Sequence, residues 1–231
     1  MISAKNLGKT FDGSWLFQDV SFDVSLGKSM AIIGPSGSGK SVLLKIIAGL
    51  VAADEGSYAL GSARIGMLFQ RNALFDSLTA EENLLFPLRE ALGITGVAAR
   101  EKAHAMLEAV GLSDAAGLFP DELSGGMQKR LGIARALVIE PEIILYDEPT
   151  AGLDPVTSRR IADMIGCLQR ERNSTLVVVT NDIRRACQLG HSIHLLARGR
   201  LSAGDTATGL MSTADPAIRQ FISGLREGPL T

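Results

Sequence analysis

The chain has 231 residues, 46% of them hydrophobic, which suits one substantial core, and its 23 lysines and arginines nearly balance 25 aspartates and glutamates for a net charge of -2. Without a basic run to track a phosphate backbone, nucleic acid is not an expected partner. No apolar stretch approaches the roughly 20 residues needed to cross a bilayer, Met1-Ile2-Ser3-Ala4-Lys5 is no secretory signal, and Cys167 and Cys187 lack metal-ligand spacing, so a soluble, cytosolic protein with free thiols is expected.

Near the start, Lys9-Thr10-Phe11, the turn signal Asp12-Gly13-Ser14 and the alternating run Val20-Ser21-Phe22-Asp23-Val24 predict antiparallel strands. Phe11 precedes a glycine-rich loop, where an aromatic ring can stack on a base or simply fill a core; the residues alone leave both open. That loop, Gly34-Pro35-Ser36-Gly37-Ser38-Gly39-Lys40-Ser41, is a full match to G-x-x-x-x-G-K-[ST]. Met30-Ala31-Ile32-Ile33 before it reads as a buried strand, and Val42-Leu43-Leu44-Lys45-Ile46-Ile47 after it reads as a helix. The glycines let consecutive N–H groups converge on an anion at the positive end of that helix. Lys40 is placed to reach the β- and γ-phosphates of a nucleotide and Ser41 to ligate Mg²⁺, with Val42 completing the binding turn. An ordinary Gly/Ser turn is the competing reading, and strand, loop, Lys-Ser pair and helix in register count against it.

After Gly49 and an expected turn at Asp54-Glu55-Gly56, Ile65-Gly66-Met67-Leu68-Phe69 reads as a strand ending at Gln70, an amide placed for a Mg²⁺ or water ligand. Thr79-Ala80-Glu81-Glu82 has capping-box spacing, and Glu101 to Val110 is helical until Gly111, so about Leu78 to Phe119 forms a helical insertion. Ser124-Gly125-Gly126 caps a second helix with exposed N–H groups, running through Leu131, Ala134 and Leu137 until Pro141. Taken singly, that is a plain Ser-Gly-Gly cap. Ile143-Ile144-Leu145-Tyr146-Asp147-Glu148 is an apolar strand ending in two acids: Asp147 beside Mg²⁺, and Glu148 able to polarise water toward a γ-phosphate, unless both merely cap the next helix. Asp154-Pro155 starts a helix, and Leu176-Val177-Val178-Val179-Thr180 is a further strand ending at Asn181-Asp182. His191 and His194 are spaced to lie on opposite faces of a strand, which argues against a shared metal.

Together these residues resemble the ATP-binding subunits of ABC transporters: Walker A at Gly34 to Ser41, Q-loop at Gln70, signature Leu123-Ser124-Gly125-Gly126, Walker B ending at Asp147-Glu148, and D-loop Ala151-Gly152-Leu153-Asp154. The resemblance implies an α/β P-loop NTPase over residues 1–231, with a RecA-like core, an antiparallel β sublobe, a helical sublobe at about 75–140 and a helical tail at about 206–231. It implies a head-to-tail homodimer with ATP and Mg²⁺ between Walker A of one protomer and Ser124 to Gly126 of the other. Glu148 is then the catalytic base, assisted by Lys40, Gln70 and the residue at 181; Ser41, Gln70 and Asp147 hold the metal, and Phe11 stacks on adenine. The helical sublobe meets an integral membrane permease, which puts the subunit peripherally on the cytoplasmic face of the inner membrane. Gly39-Lys40-Ser41-Val42-Leu43-Leu44-Lys45, Met67-Leu68-Phe69-Gln70 with Ala73-Leu74-Phe75, Asn83 with Phe86-Pro87-Leu88-Arg89-Glu90, Gly126-Met127, and Asp215-Pro216-Ala217-Ile218-Arg219-Gln220-Phe221 look like the Mla-type phospholipid-trafficking branch. That branch implies lipid transport between membranes and lipid-binding accessory subunits.

Two features depart from the family pattern. The segment from Gly49 to Gln70 is short, so the antiparallel sublobe is expected to lack a turn or short helix. Asn181 stands where the family has a switch histidine; its amide donates a hydrogen bond but cannot exchange a proton near neutral pH. Either a slower transport ATPase, for lipid or another substrate, or a hydrolysis-impaired regulatory subunit follows from that replacement.

Overall fold

A computed structural model describes residues 1–61, 63–70 and 72–230. The chain opens with a hairpin, β1 (Ile2–Phe11) and β2 (Ser14–Val24), turned at Asp12-Gly13 so that Phe11 faces Ser14 and Ile2 faces Val24. It then enters β3 (Ser29–Ile33), whose five residues are all buried, and α1 (Lys40–Ile47). Next, β4 (Glu55–Ala59) joins the free edge of β1, completing a three-stranded antiparallel sheet in the order β2-β1-β4. The turn expected at Asp54-Glu55-Gly56 is therefore the start of a strand. Asp54 anchors it, its carboxylate accepting from the Thr10 N–H, the Thr10 hydroxyl and the Lys9 ammonium.

A second sheet carries the nucleotide-loop strand at its centre. After β5 (Ile65–Leu68), the chain forms α2 (Ala80–Leu92), α3 (Gly96–Ala109) and α4 (Gly125–Leu137), then β6 (Ile143–Asp147), α5 (Pro155–Arg172) and β7 (Thr175–Val179). It continues through α6 (Ile183–Leu189), β8 (Ser192–Ala197), β9 (Arg200–Leu201), α7 (Ala207–Met211) and α8 (Pro216–Ser223). The strand order is β5-β6-β7-β3-β8-β9, parallel throughout except for the last hairpin. β3, β6 and β7 are continuous buried runs, as expected of parallel strands covered on both faces.

Alternate residues of these strands feed two cores. Ala31, Ile33, Ile144, Tyr146 and Val178 face one that includes Leu84, Leu88, Leu107 and Ile133 of the helical region. Met30, Ile32, Leu145 and Val177 face the other, shared with α1 and the antiparallel sheet through Leu43, Ile47, Leu7, Phe17 and Val20. Phosphate loop and β sublobe are thus welded through one apolar layer. The helix expected over Glu101 to Val110 begins earlier, at Gly96, and the helix after Ser124 ends at Leu137, short of Pro141. Among the described residues no helix is long and apolar enough to cross a membrane. Cys167 is exposed and Cys187 half-buried, and both are free thiols.

Candidate functional site

Parallel strands place their carboxyl ends side by side, and here β3, β5, β6 and β7 deliver the glycine-rich loop, Gln70, Asp147-Glu148 and Thr180-Asn181 to one edge of the sheet. The loop leaves β3 through Gly34, which has φ 155 and sits so close to β8 that a Cβ there would lie 2.2 Å from the Leu196 carbonyl oxygen. Only glycine fits. The first turn of α1 has no side-chain cap, so its N–H groups face the loop's concavity.

Lys40 is buried, and its ammonium donates to the carbonyls of Gly34 at 2.8 Å and Pro35 at 2.9 Å. Burial lowers its pKa, against the opposing pull of Glu148 and Asp147. The Ser41 hydroxyl donates to Asp147 Oδ1 at 2.8 Å. Burial raises the Asp147 carboxyl, with the Ser41 hydrogen bond and the charges of Lys45, Lys40 and Lys129 opposing. Glu148 has a left-handed backbone, φ 49, which turns its side chain off the strand. Its Oε2 accepts from the Thr180 hydroxyl and its Oε1 from the Asn181 N–H, both at 2.9 Å. The Asn181 amide reaches back across the site to Ser36 Oγ at 3.4 Å.

Ser36, Gly37, Gly39, Lys40, Ser41, Val42, Gln70, Glu148 and Asn181 line a single cavity of about 260 Å³, closed on one side by Leu16. Leu16 belongs to β2, and nothing in its sequence context separates it from an ordinary strand residue. Lys129 was equally invisible: buried on α4, it donates to the Gln70 carbonyl at 2.8 Å and the Glu148 carbonyl at 3.4 Å. Thr180 read as the end of a strand, yet its hydroxyl meets the carboxylate.

Two groups of expected site residues lie elsewhere in this single chain. Phe11 is 50% exposed beside the Lys9 ammonium, which excludes the core alternative, but it does not line the cavity. Ser124 caps α4, its hydroxyl accepting from the Met127 N–H, and with Gly126 it lines a separate cavity of about 500 Å³ that also takes in Arg130, Asp154 and Arg160. Gly125 is exposed at the same helix start.

The loop fits a polyphosphate. Among the described residues Ser38 Oγ is buried without a partner, the space beside Gly37 is open, and Lys40 is engaged only by carbonyls of its own loop. Ser41 and Asp147 supply the hard oxygen donors that suit Mg²⁺. Among the described residues no group of three or more His, Cys, Asp or Glu could enclose a metal, so the remaining ligands would be phosphate oxygens and water.

Comparison with known proteins places this geometry in context. The profile of the family described as "ABC transporter" matches residues 17–151. The intermembrane phospholipid transport system ATP-binding protein MlaF of Escherichia coli (strain K12) is 34% identical over 245 aligned positions, which span 100% of this chain and 91% of the relative. The probable ribonucleotide transport ATP-binding protein mkl of Mycobacterium leprae is 36% identical, over 99% of this chain and 70% of its own length. Among solved structures, a dimeric post-hydrolysis state of the ATP-binding cassette MJ0796 bound to ADP and Pi superposes with a TM-score of 0.80 at 34% identity, covering 90% of this chain and 99% of that one.

Proposed function

Because the chain belongs to the ABC transporter family, as an ATP-binding subunit with ATPase activity, we propose that it energises a membrane permease that moves phospholipid between membranes. The observation that carries the catalytic part is the cavity in which Lys40, Ser41, Gln70, Glu148 and Asn181 meet. ATP phosphates enter the concavity of residues 34–41, where Lys40 exchanges the Gly34 and Pro35 carbonyls for phosphate oxygens. Ser41 and Asp147, with Gln70 at the rim, would hold Mg²⁺, which when bound neutralises phosphate charge. Glu148 accepts the proton of the attacking water, while the amides of Gln70 and Asn181 orient water and γ-phosphate. Asn181 already aims its amide at Ser36 across that cavity, a donor role that requires no proton exchange.

Each ATP is sandwiched in a head-to-tail homodimer. Lys40 and Ser124 line two different cavities of the chain, which fits a site completed by the signature helix of a partner. Phe11, exposed at the tip of the β1–β2 hairpin, stacks on the adenine. The helical sublobe of α2, α3 and α4 docks on the permease at the cytoplasmic face of the membrane, and lipid-binding accessory subunits complete the assembly. Phospholipid as the cargo is supported by MlaF, which matches along the whole chain. A ribonucleotide cargo is the second reading, because the mycobacterial relative's name carries that role.

ATP turnover of the subunit assembled with its permease tests the motor reading, with wild type compared with Glu148→Gln and Asn181→His. Wild type clearly faster than Glu148→Gln supports a working motor in which Asn181 substitutes for histidine. Wild type equal to Glu148→Gln, with turnover restored in Asn181→His, overturns it in favour of a nucleotide-binding switch. Phospholipid co-purifying with the permease separates the two cargoes.

A further inference from the structure

A general base must hold one orientation through the reaction, and in this site that orientation is not supplied by the side chain at position 181. Both oxygens of Glu148 are taken by the chain segment that follows β7: Oε2 by the Thr180 hydroxyl and Oε1 by the backbone N–H of Asn181, each at 2.9 Å. The backbone donor is available whatever residue stands at 181. The hydroxyl is not, since it belongs to Thr180 alone.

Thr180 is fully buried, so its rotamer is fixed by packing. Its oxygen also accepts from the Asp182 N–H at 3.0 Å, so the hydroxyl accepts from one side and donates to Glu148 on the other. Asp182 in turn caps α6, its carboxylate accepting from the Arg185 N–H, so the acceptor side of Thr180 is tied to a helix start. From the other end, the Glu148 N–H donates to the Val179 carbonyl at 2.9 Å, and the left-handed φ of Glu148 puts its side chain under the segment it is bound to. The amide of Asn181 is left to reach Ser36 on the far side of the cavity.

We propose that Thr180 is a positioning residue for Glu148, holding the carboxylate in its working orientation while the side chain at 181 is left to face Ser36 across the cavity. The inference rests on Glu148 being the base. Each Glu148 oxygen engages one donor and keeps a lone pair for the attacking water, so the grip orients the group without blocking it.

The test uses the full chain and MgATP, with kcat and KM for wild type, Thr180→Val, Thr180→Ser and Glu148→Gln, and MgADP affinity by calorimetry. Thr180→Val keeps the shape and removes the hydroxyl. The expected result is a fall in kcat of about 10- to 100-fold with KM and MgADP affinity within about twofold of wild type, because only the orientation of a group acting in the transition state is lost. Thr180→Ser restores most of the loss. Wild-type kcat in Thr180→Val beside an impaired Glu148→Gln overturns the proposal alone. Wild-type turnover in Glu148→Gln overturns the base assignment and the proposal with it. Should Thr180→Val fail to fold, Thr180→Ala with a matched thermal midpoint gives the same comparison.

Discussion

At Glu148 the carboxylate can be changed to an amide of the same shape, so Glu148→Gln removes the base and one of its two accepted hydrogen bonds while leaving the left-handed turn in place. Turnover is expected to fall by on the order of 10² to 10³ with ATP affinity retained, whereas Lys40→Ala is expected to abolish binding; equilibrium titration with a fluorescent ATP analogue beside a phosphate-release assay distinguishes the two. Asp54 offers a residue-scale test of the β sublobe. The Thr10 N–H and then the Lys9 ammonium hold its carboxyl down at about 2, against an ordinary 3.8. A folded-state pKa below the unfolded one contributes stability that is complete above the unfolded value and lost as pH falls through the folded one. The gap in urea midpoint between wild type and Asp54→Asn is therefore expected to be constant above about pH 5 and to close between about pH 4 and pH 2. Lys40, Ser41 and Asp147 were legible in the sequence because their chemistry is tied to short fixed spacings. Thr180 and Lys129 were not, since each acts on a residue far away in the chain and carries no motif of its own. Phe11 was legible as an aromatic residue, but whether its ring was buried depended on how the hairpin tip met the rest of the fold.

The element that most directly controls the geometry at Gln70 is α4 packed on β5. Their approach is set by Gly66, where a Cβ would lie 2.1 Å from the Ala136 carbonyl oxygen and 2.8 Å from the ring of Pro141. Gly66→Ala must push helix and strand apart, and a loss of about 1 to 3 kcal/mol is expected, read as a lowered urea midpoint with the denaturant slope unchanged. Because α4 also carries Lys129, which holds the Gln70 carbonyl, the same change should slow turnover in the molecules that remain folded. Helix starts were the most legible elements. Thr79 with Glu82, Ser124 and Asp154 all make the cap bonds their spacing implied, since a cap is decided within four residues. The strand β4 was missed for the opposite reason. It lies largely exposed on a sheet edge, shows no apolar alternation, and exists because β1, some fifty residues earlier, offers it hydrogen bonds.

For the whole molecule, the proposed sandwich predicts that assembly follows nucleotide. Glu148→Gln is expected to run as a dimer on size exclusion with saturating MgATP and as a monomer without it. Adding Gly126→Asp should keep ATP bound to a chain that stays monomeric, because in the proposed sandwich the added carboxylate would face the phosphates of the partner's site. A Glu148→Gln protein that remained monomeric with ATP would remove the sandwich. The strand order has a further consequence for how such a chain is made. β3, which launches the phosphate loop, finds its only hydrogen-bonded neighbours among the described residues in β7 and β8, and the carbonyl that moulds Gly34 belongs to Leu196. A ribosome that has released the first 170 residues has therefore exposed the whole loop but none of the strands that flank it. The nascent polypeptide at that stage carries the five residues of β3 with no lateral partner, and the phosphate loop takes its final shape only once β7 and β8 have emerged to flank that strand.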